Sequence, residues 1–387
     1  MSSKYNRQLS LPKKSFFLFG PRGTGKTTWL KTFFNADLYI DLLRSETYLE
    51  LSNAPEKLRE KTLALPPKSK IVIDEIQRVP QLLNEVHSLL VEYENQYTFA
   101  MTGSSARKLK RNEANLLAGR AVTRYLYPLI CCELDKDWQL EKILKFGSLP
   151  LTITAEDEEE KIDYLMSYVE TYLKEEILQE ALVRNVANYH RFLHHVALMN
   201  GQVINLNNLS RETGIPRSTL DGHFTILKDT LLGDFVEPIH LGAKVKEVST
   251  PKFYLFDCGV TRALRQELRD SLSEEKGLLL ETMIVSELKA YIRYTQQSWE
   301  LYYWATPSGN EVDFIISASK KKIGIEVKSS KTWKPEFSKG LSLLLSEKKI
   351  AKAIGIYLGK ERLLINGIMI YPIQDFLLTL SKGEIGH

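Results

Sequence analysis

FFLFGPRGTGKTTW, residues 16–29, begins as an apolar run of strand character, breaks at Gly20 into a loop with further glycines at 23 and 25, and continues through Lys26, Thr27 and Thr28 into a helix-compatible segment. The spacing is a complete G-x-x-x-x-G-K-T. Glycines suit such a loop because successive backbone N–H groups must turn inward around phosphate oxygens, a path that side chains would obstruct. The helix that follows points the positive end of its dipole at the same place. Gly20, Pro21, Arg22, Gly23, Thr24, Gly25, Lys26, Thr27 and Thr28 are therefore the expected nucleotide-binding residues. Lys26 is expected on the β- and γ-phosphates and the Thr27 hydroxyl on Mg2+.

Working outward, DLYIDL (residues 37–42) reads as a second strand, and residues 45–63 as helical with an interruption near Pro55. KSKIVIDEIQRVP (68–80) carries an apolar strand directly into Asp74 and Glu75, the pattern of a parallel strand buried on both faces and ending at the ligand edge. Asp74 is expected to hold Mg2+ through water, and Glu75 to polarise the attacking water. A helix over 81–96 and a strand in YTFAMTGSSARKLKR (97–111) follow. A strand lying between those two places its tip near the γ-phosphate, where Thr102 or Ser104 is positioned to sense it. Among the basic residues beyond it, Arg120 is the candidate to reach a neighbouring subunit's γ-phosphate, with Arg107 and Arg124 as alternatives.

With TGSS at 102–105, LAGR at 117–120 and YPL at 127–129, the sequence resembles the AAA+ superfamily of bacterial and archaeal P-loop ATPases. The resemblance implies a five-stranded parallel sheet, ATP as ligand and assembly into a ring, a homo-hexamer being the expected number.

Residues 146–161 have the composition of a connection, and the acids at 156–160 read as a solvated helix start. His190, His194 and His195 sit at helical spacing with no accompanying acid or cysteine pattern, so core or surface roles are expected for them. INLNNLSRETGIPRSTLDGHFTILKDTLLGDFVEPI (204–239) has the period of two short helices with a turn at Gly214, a helix-turn-helix winged by 234–239 and 252–257. Either its second helix, led by Arg217, Ser218 and Thr219, enters a DNA groove, or the module packs against protein.

The C-terminal third offers a helix with Glu281 in its first turns, a strand at 299–306, a hairpin strand with Asp313, and the strand KIGIEVKSS with Glu326 and Lys328 two apart on one face. Asp313 can meet Glu326 across the hairpin. Asp313, Glu326 and Lys328 converging at this strand pair would hold a hard cation on the two carboxylates, with Lys328 positioning or activating the nucleophile. With Glu281 on the preceding helix, this pattern resembles the PD-(D/E)XK nuclease superfamily, with Glu-Val in place of the proline before the aspartate, and the resemblance implies Glu281, Asp313 and Glu326 as the metal ligands. The resemblance implies Mg2+-dependent, or Mn2+-dependent, cleavage of DNA, and the spacing is similar to that of junction resolvases, which makes branched or forked DNA the expected substrate. Trp333 and Lys334 are candidates to stack on or pair with DNA, packing being the alternative.

Composition sets the limits. At 387 residues, two or three domains are expected: an ATPase over 1–155, a helical and winged-helix part over 156–260, and a nuclease-like part over 261–387. Hydrophobic content of 43% and charged content of 26% are those of a soluble protein. No apolar run reaches spanning length and the first fifteen residues lack a signal-peptide core, so no membrane partner and a cytoplasmic location are expected. Three cysteines, Cys131, Cys132 and Cys258, read as core filling. The net charge of +4 is modest, but from Lys276 onward 16 Lys and Arg face 11 Asp and Glu. The function these features suggest is an ATP-driven DNA motor or remodeller with an endonuclease-like part. The alternatives are a nucleotide-switched regulatory ATPase with a binding scaffold, and a nucleotide-gated transcriptional regulator.

Overall fold

The structure, a computed structural model, describes residues 5–104, 117, 119–172, 186–272, 275–318 and 321–385. The chain forms two compact units, Met1–Tyr127 with Asp229–Leu232, and Pro128–Lys228 with Gly233–His387.

In the first unit, β1 (Ser15–Phe19), β2 (Leu38–Asp41), β3 (Ser69–Asp74), β4 (Tyr97–Gly103) and β5 (Ala121–Tyr125) form a parallel sheet in the order β2-β3-β4-β1-β5. The apolar runs of β1, β3 and β4 are buried almost throughout, as central parallel strands require. Leu51 and Leu58 from two short helices, and Leu82, Leu83, Val86 and Leu89 from the helix Leu82–Glu92, close one face against Ile71, Ile73, Phe99 and Met101. Because β4 lies between β1 and β3, the phosphate loop, Asp74 with Glu75, and Thr102 with Ser104 all emerge at one edge. β5 ends at Tyr125, before residues 127–129, and Pro128 has no N–H to donate to a ladder.

The first unit ends at Tyr127 rather than near residue 155. The cause is packing: the helix Leu140–Phe146 lies against the helix Cys258–Arg265, so closely that a Cβ on Gly259 would stand 2.2 Å from the Phe146 carbonyl oxygen. The helix-turn-helix is present as Leu206–Thr213 and Arg217–Asp229, with Asn205 capping the first helix through its side chain and Gly214 closing it at φ 70°. Its wing is β6 (Gly233–Pro238) paired antiparallel with β7 (Lys252–Leu255).

That wing is not a separate appendage. β6 also pairs with β8 (Trp299–Ala305), so the hairpin continues into a sheet with β9 (Glu311–Ala318), β10 (Lys321–Val327), β11 (Lys352–Tyr357), β12 (Leu363–Ile365) and β13 (Ile368–Pro372). The order is β12-β13-β11-β10-β9-β8-β6-β7. The boundary expected at residue 260 is therefore absent, and two further strands follow β11.

Candidate nucleotide site and a buried charge cluster

The phosphate loop has the backbone its glycines allow. Gly25 caps the helix Lys26–Phe33 at φ 89°, a conformation L side chains rarely adopt, and a Cβ on Gly20 would stand 2.3 Å from the Leu126 carbonyl oxygen. Lys26 is buried and its Nζ donates to the carbonyls of Gly20 at 2.7 Å and Pro21 at 3.1 Å. Thr24 is buried and donates to the Pro21 carbonyl at 2.9 Å, while Thr27 and Thr28 are exposed.

Asp74 is the hub of the site. It is buried, and its carboxylate accepts from the Thr27 hydroxyl at 2.9 Å and from the hydroxyls of Thr102 and Tyr39. A hydroxyl beside a buried carboxylate at a helix N-terminus is a hard-oxygen donor set that fits Mg2+. Tyr39 was not expected from sequence. Burial, and then the Asp74 carboxylate that accepts its hydrogen bond, push its phenol well above the usual range, so it donates as a neutral group.

Glu75 leaves β3 with φ 61° and ψ 48°, a strained conformation for a side chain that is neither glycine nor asparagine. Its backbone N–H donates to Thr102 Oγ1 at 3.0 Å. Its carboxylate accepts from the Gln77 amide, which also donates to Ser104 Oγ at 3.3 Å. The structure thus brings Lys26, Thr27, Asp74, Glu75, Thr102 and Ser104 to one edge. Arg120 is exposed in the turn before β5, and Arg124, within β5, donates to the Thr123 carbonyl at 2.9 Å. Ser105, Arg107, Lys108, Lys110 and Arg111 lie outside the described residues.

In the second unit, Ile325 of β10 pairs with Phe314 of β9, which makes Asp313 and Glu326 the next facing residues. Asp313 accepts from the Val327 N–H at 2.7 Å, and Lys328 Nζ lies 3.5 Å from Asp313 and 2.5 Å from Glu326. Glu281, on the helix Lys276–Tyr294, accepts from the Tyr254 hydroxyl at 2.8 Å and faces Lys252 at 3.8 Å; Lys252 also ion-pairs Glu311. The wing strand β7 supplies Lys252 and Tyr254, neither of which the sequence pointed to. The result is four carboxylates bridged in pairs by two ammonium groups.

That arrangement does not fit the expected cation. Lys252 and Lys328 stand among these carboxylates, Glu326 Oε2 is buried without a hydrogen bond, and among the described residues no three His, Cys, Asp or Glu side chains are grouped so as to hold a metal ion. Burial works against the charge on Lys252 and Lys328, but the carboxylates around each outweigh it and hold both ammonium groups above the usual lysine range. Burial and the charge of Asp313 push Glu281 up to about 7 and Glu326 well above the usual carboxylate range. Trp333 is buried, with Nε1 donating to Ser338 at 2.9 Å and its ring against Gly355, so it packs; Lys334 lies over the Phe337 ring at 6.0 Å. The histidines also stay local: His194 Nδ1 is 2.9 Å from the Leu264 carbonyl oxygen, and His195 is 3.9 Å from Glu212. Cys131 and Cys258 are buried.

The raised carboxyl groups make a stability prediction. Glu281 at about 7, Glu287 at about 8 and Asp257 at about 6 all hold protons in the folded unit at pH values where an unfolded chain has released them. Their contribution is full below the unfolded carboxyl range and is lost as pH rises through these values, so the folded unit should be less stable at pH 8 than at pH 5. Four of the five tryptophans lie in this unit. The urea midpoint of the full chain by tryptophan fluorescence should therefore fall between those two pH values. A flat or rising midpoint would contradict the assignment.

The exposed face of the helix Arg217–Asp229 presents Arg217, Ser218, Thr219, Asp221, Thr225 and Lys228. No helix among the described residues is long and apolar enough to cross a membrane.

An uncharacterised protein of Mycobacterium tuberculosis and one of Mycobacterium bovis are each 25% identical over 376 residues, covering 95% of this chain and 82% of theirs. An uncharacterised protein of Methanocaldococcus jannaschii is 24% identical over 341 residues, covering 81% and 74%. Among solved structures, Aeropyrum pernix ORC1 in complex with DNA aligns at 11% identity and a TM-score of 0.33 over 67% of this chain and 88% of that one. Aeropyrum pernix ORC2 aligns at 12% and 0.35 over 70% and 89%. Residues 137–271 match a domain of unknown function (DUF8612), residues 276–376 another (DUF4143), and residues 12–134 match an AAA domain. The five-stranded sheet and its phosphate loop thus lie within the part of the chain that matches an AAA domain.

Proposed function

We propose that the chain hydrolyses ATP at the edge of its first unit and uses the nucleotide state as a switch. The observation that carries this is the convergence on Asp74 of Thr27 from the phosphate loop and Thr102 from β4, with Glu75 beside it. Lys26, now on loop carbonyls, is placed to exchange them for phosphate oxygens. Thr27 and Asp74 would hold Mg2+, which supplies charge neutralisation on the phosphates. Thr102 keeps the Asp74 carboxylate in place and fixes the Glu75 backbone, so that the Glu75 carboxylate serves as the acceptor for a proton of the attacking water. Exposed Arg120 is proposed to act across a subunit interface in a ring, a hexamer being the working number. Arg120→Ala should then leave ATP binding intact and lower turnover about 1,000-fold or more. Normal turnover by a strictly monomeric particle would remove this role.

For the second unit, the lysine-bridged carboxylates support a binding scaffold more than a cleavage site. The exposed, mixed-polarity face led by Arg217 supports DNA as its partner. Metal-dependent cleavage of branched or forked DNA is the second reading, favoured by Asp313 facing Glu326 with Lys328 beside both, and it requires those ion pairs to open. The test is ATPase rate, binding and cleavage measured together on single-stranded, duplex, forked and four-way DNA with Mg2+ or Mn2+. Binding with DNA-stimulated, salt-sensitive turnover and no cleavage is expected. Cleavage abolished by Asp313→Ala would establish the second reading. Stimulation by no DNA would leave a protein-responsive switch.

A further inference from the structure

Two groups at the nucleotide edge, Glu75 and Ser104, are tied together by a residue to which the motif gives no role. Gln77 sits in the single 3-10 turn Ile76–Arg78 that follows Glu75, and is only 8% exposed. Its Nε2 donates both to the Glu75 carboxylate and, at 3.3 Å, to Ser104 Oγ at the tip of β4. Its Oε1 is buried and makes no hydrogen bond among the described residues. A buried amide oxygen in that condition is left wanting a donor. Glu75 precedes this turn with a left-handed backbone.

We propose that Gln77 is a positioning residue for hydrolysis: its amide holds the Glu75 carboxylate in register with Ser104, and its free carbonyl accepts a hydrogen bond from the attacking water. This rests on the ATPase reading above. In the step itself, the water oxygen bonds to the γ-phosphorus and the bond to the β,γ-bridging oxygen breaks, its electron pair leaving with ADP. One water proton passes to Glu75 and the other, held on Gln77, stays with the product phosphate. The glutamine neither takes a proton nor touches the leaving group. Its effect is to fix where the water stands and which carboxylate oxygen faces it.

The test compares Gln77→Ala and Gln77→Met with wild type and Ser104→Ala, measuring kcat for phosphate release and the Kd of a fluorescent ATP analogue. Methionine nearly keeps the volume of the side chain and removes both hydrogen-bonding groups, so a residue that only fills space would tolerate it. The expected result is kcat lowered about 10- to 100-fold in both variants with Kd within twofold of wild type. Ser104→Ala should add little in either background, because the two residues act as one unit. Wild-type kcat in Gln77→Met, or losses at Gln77 and Ser104 that multiply independently, would overturn the proposal while leaving the ATPase reading intact. A wild type that releases no phosphate would overturn both.

Discussion

In Glu75→Gln protein, ATP is expected to bind with wild-type affinity and persist unhydrolysed, with turnover reduced about 100- to 10,000-fold. The amide preserves the shape of the side chain and its contact with Gln77, but it is not a base for the water proton. The backbone at this position also matters: φ of 61° is held by the N–H bond to Thr102 and by the turn that follows. Thr102→Ala should therefore lower turnover too, by disturbing both Asp74 and Glu75. Single-turnover quench of bound ATP distinguishes the two defects, since Glu75→Gln leaves the chemical step slow with nucleotide fully bound. Rapid hydrolysis by Glu75→Gln would place the base elsewhere.

The second large effect is expected at Lys252. Its side chain is buried, ion-paired to Glu311, 3.8 Å from Glu281, and 5.4 Å from the centre of the Tyr303 ring. Lys252→Ala leaves carboxylates facing one another without that cation, and removing one partner of a buried pair costs about 3–5 kcal/mol. For a chain of this size that is a fall of roughly 10 °C in the unfolding midpoint. Glu281→Gln in the same background should recover part of it, because it removes one of the charges left without Lys252. With the lysine gone, the acidic cluster should also gain affinity for a hard cation, so Mn2+ should raise the midpoint of Lys252→Ala. Mn2+ should leave that of the otherwise unaltered chain unchanged when both carry Asp74→Asn to silence the nucleotide site. An equal Mn2+ shift in both would show that a metal site already exists beside Lys252.

How far these features can be read in the residues follows from where they lie in the chain. The phosphate loop and the Asp74-Glu75 pair are contiguous motifs at the ends of apolar strands, and the place of β4 follows from the architecture those motifs imply. Tyr39 is different. It reaches Asp74 because β2 and β3 run parallel with Tyr39 opposite Val72, a register that no local pattern in DLYIDL states. Gln77 required knowing that its amide, in the turn after β3, meets both Glu75 and Ser104 at the tip of β4. Lys252 and Tyr254 lay further from view, since only the continuation of the wing through β6 into β8 brings them to Glu281 and Glu311. The final hairpin had a signal: Asn366-Gly367 between two apolar runs is a two-residue turn, and both residues have positive φ. The extent of the first unit could not be judged from composition, because the glycine and proline near residue 147 mark a helix contact rather than a linker.

Titration of a fluorescent ATP analogue in the presence of Mg2+, run side by side on wild type and Lys26→Ala, tests the central claim most directly. Lys26 carries the only ammonium group that the loop aims at its own carbonyls among the described residues, and a charge-assisted contact to phosphate is worth about 1.5–3 kcal/mol. Saturable binding by wild type, weakened about 10- to 100-fold in Lys26→Ala, is the predicted result. Equal affinity in the two proteins would contradict the assignment of the nucleotide site.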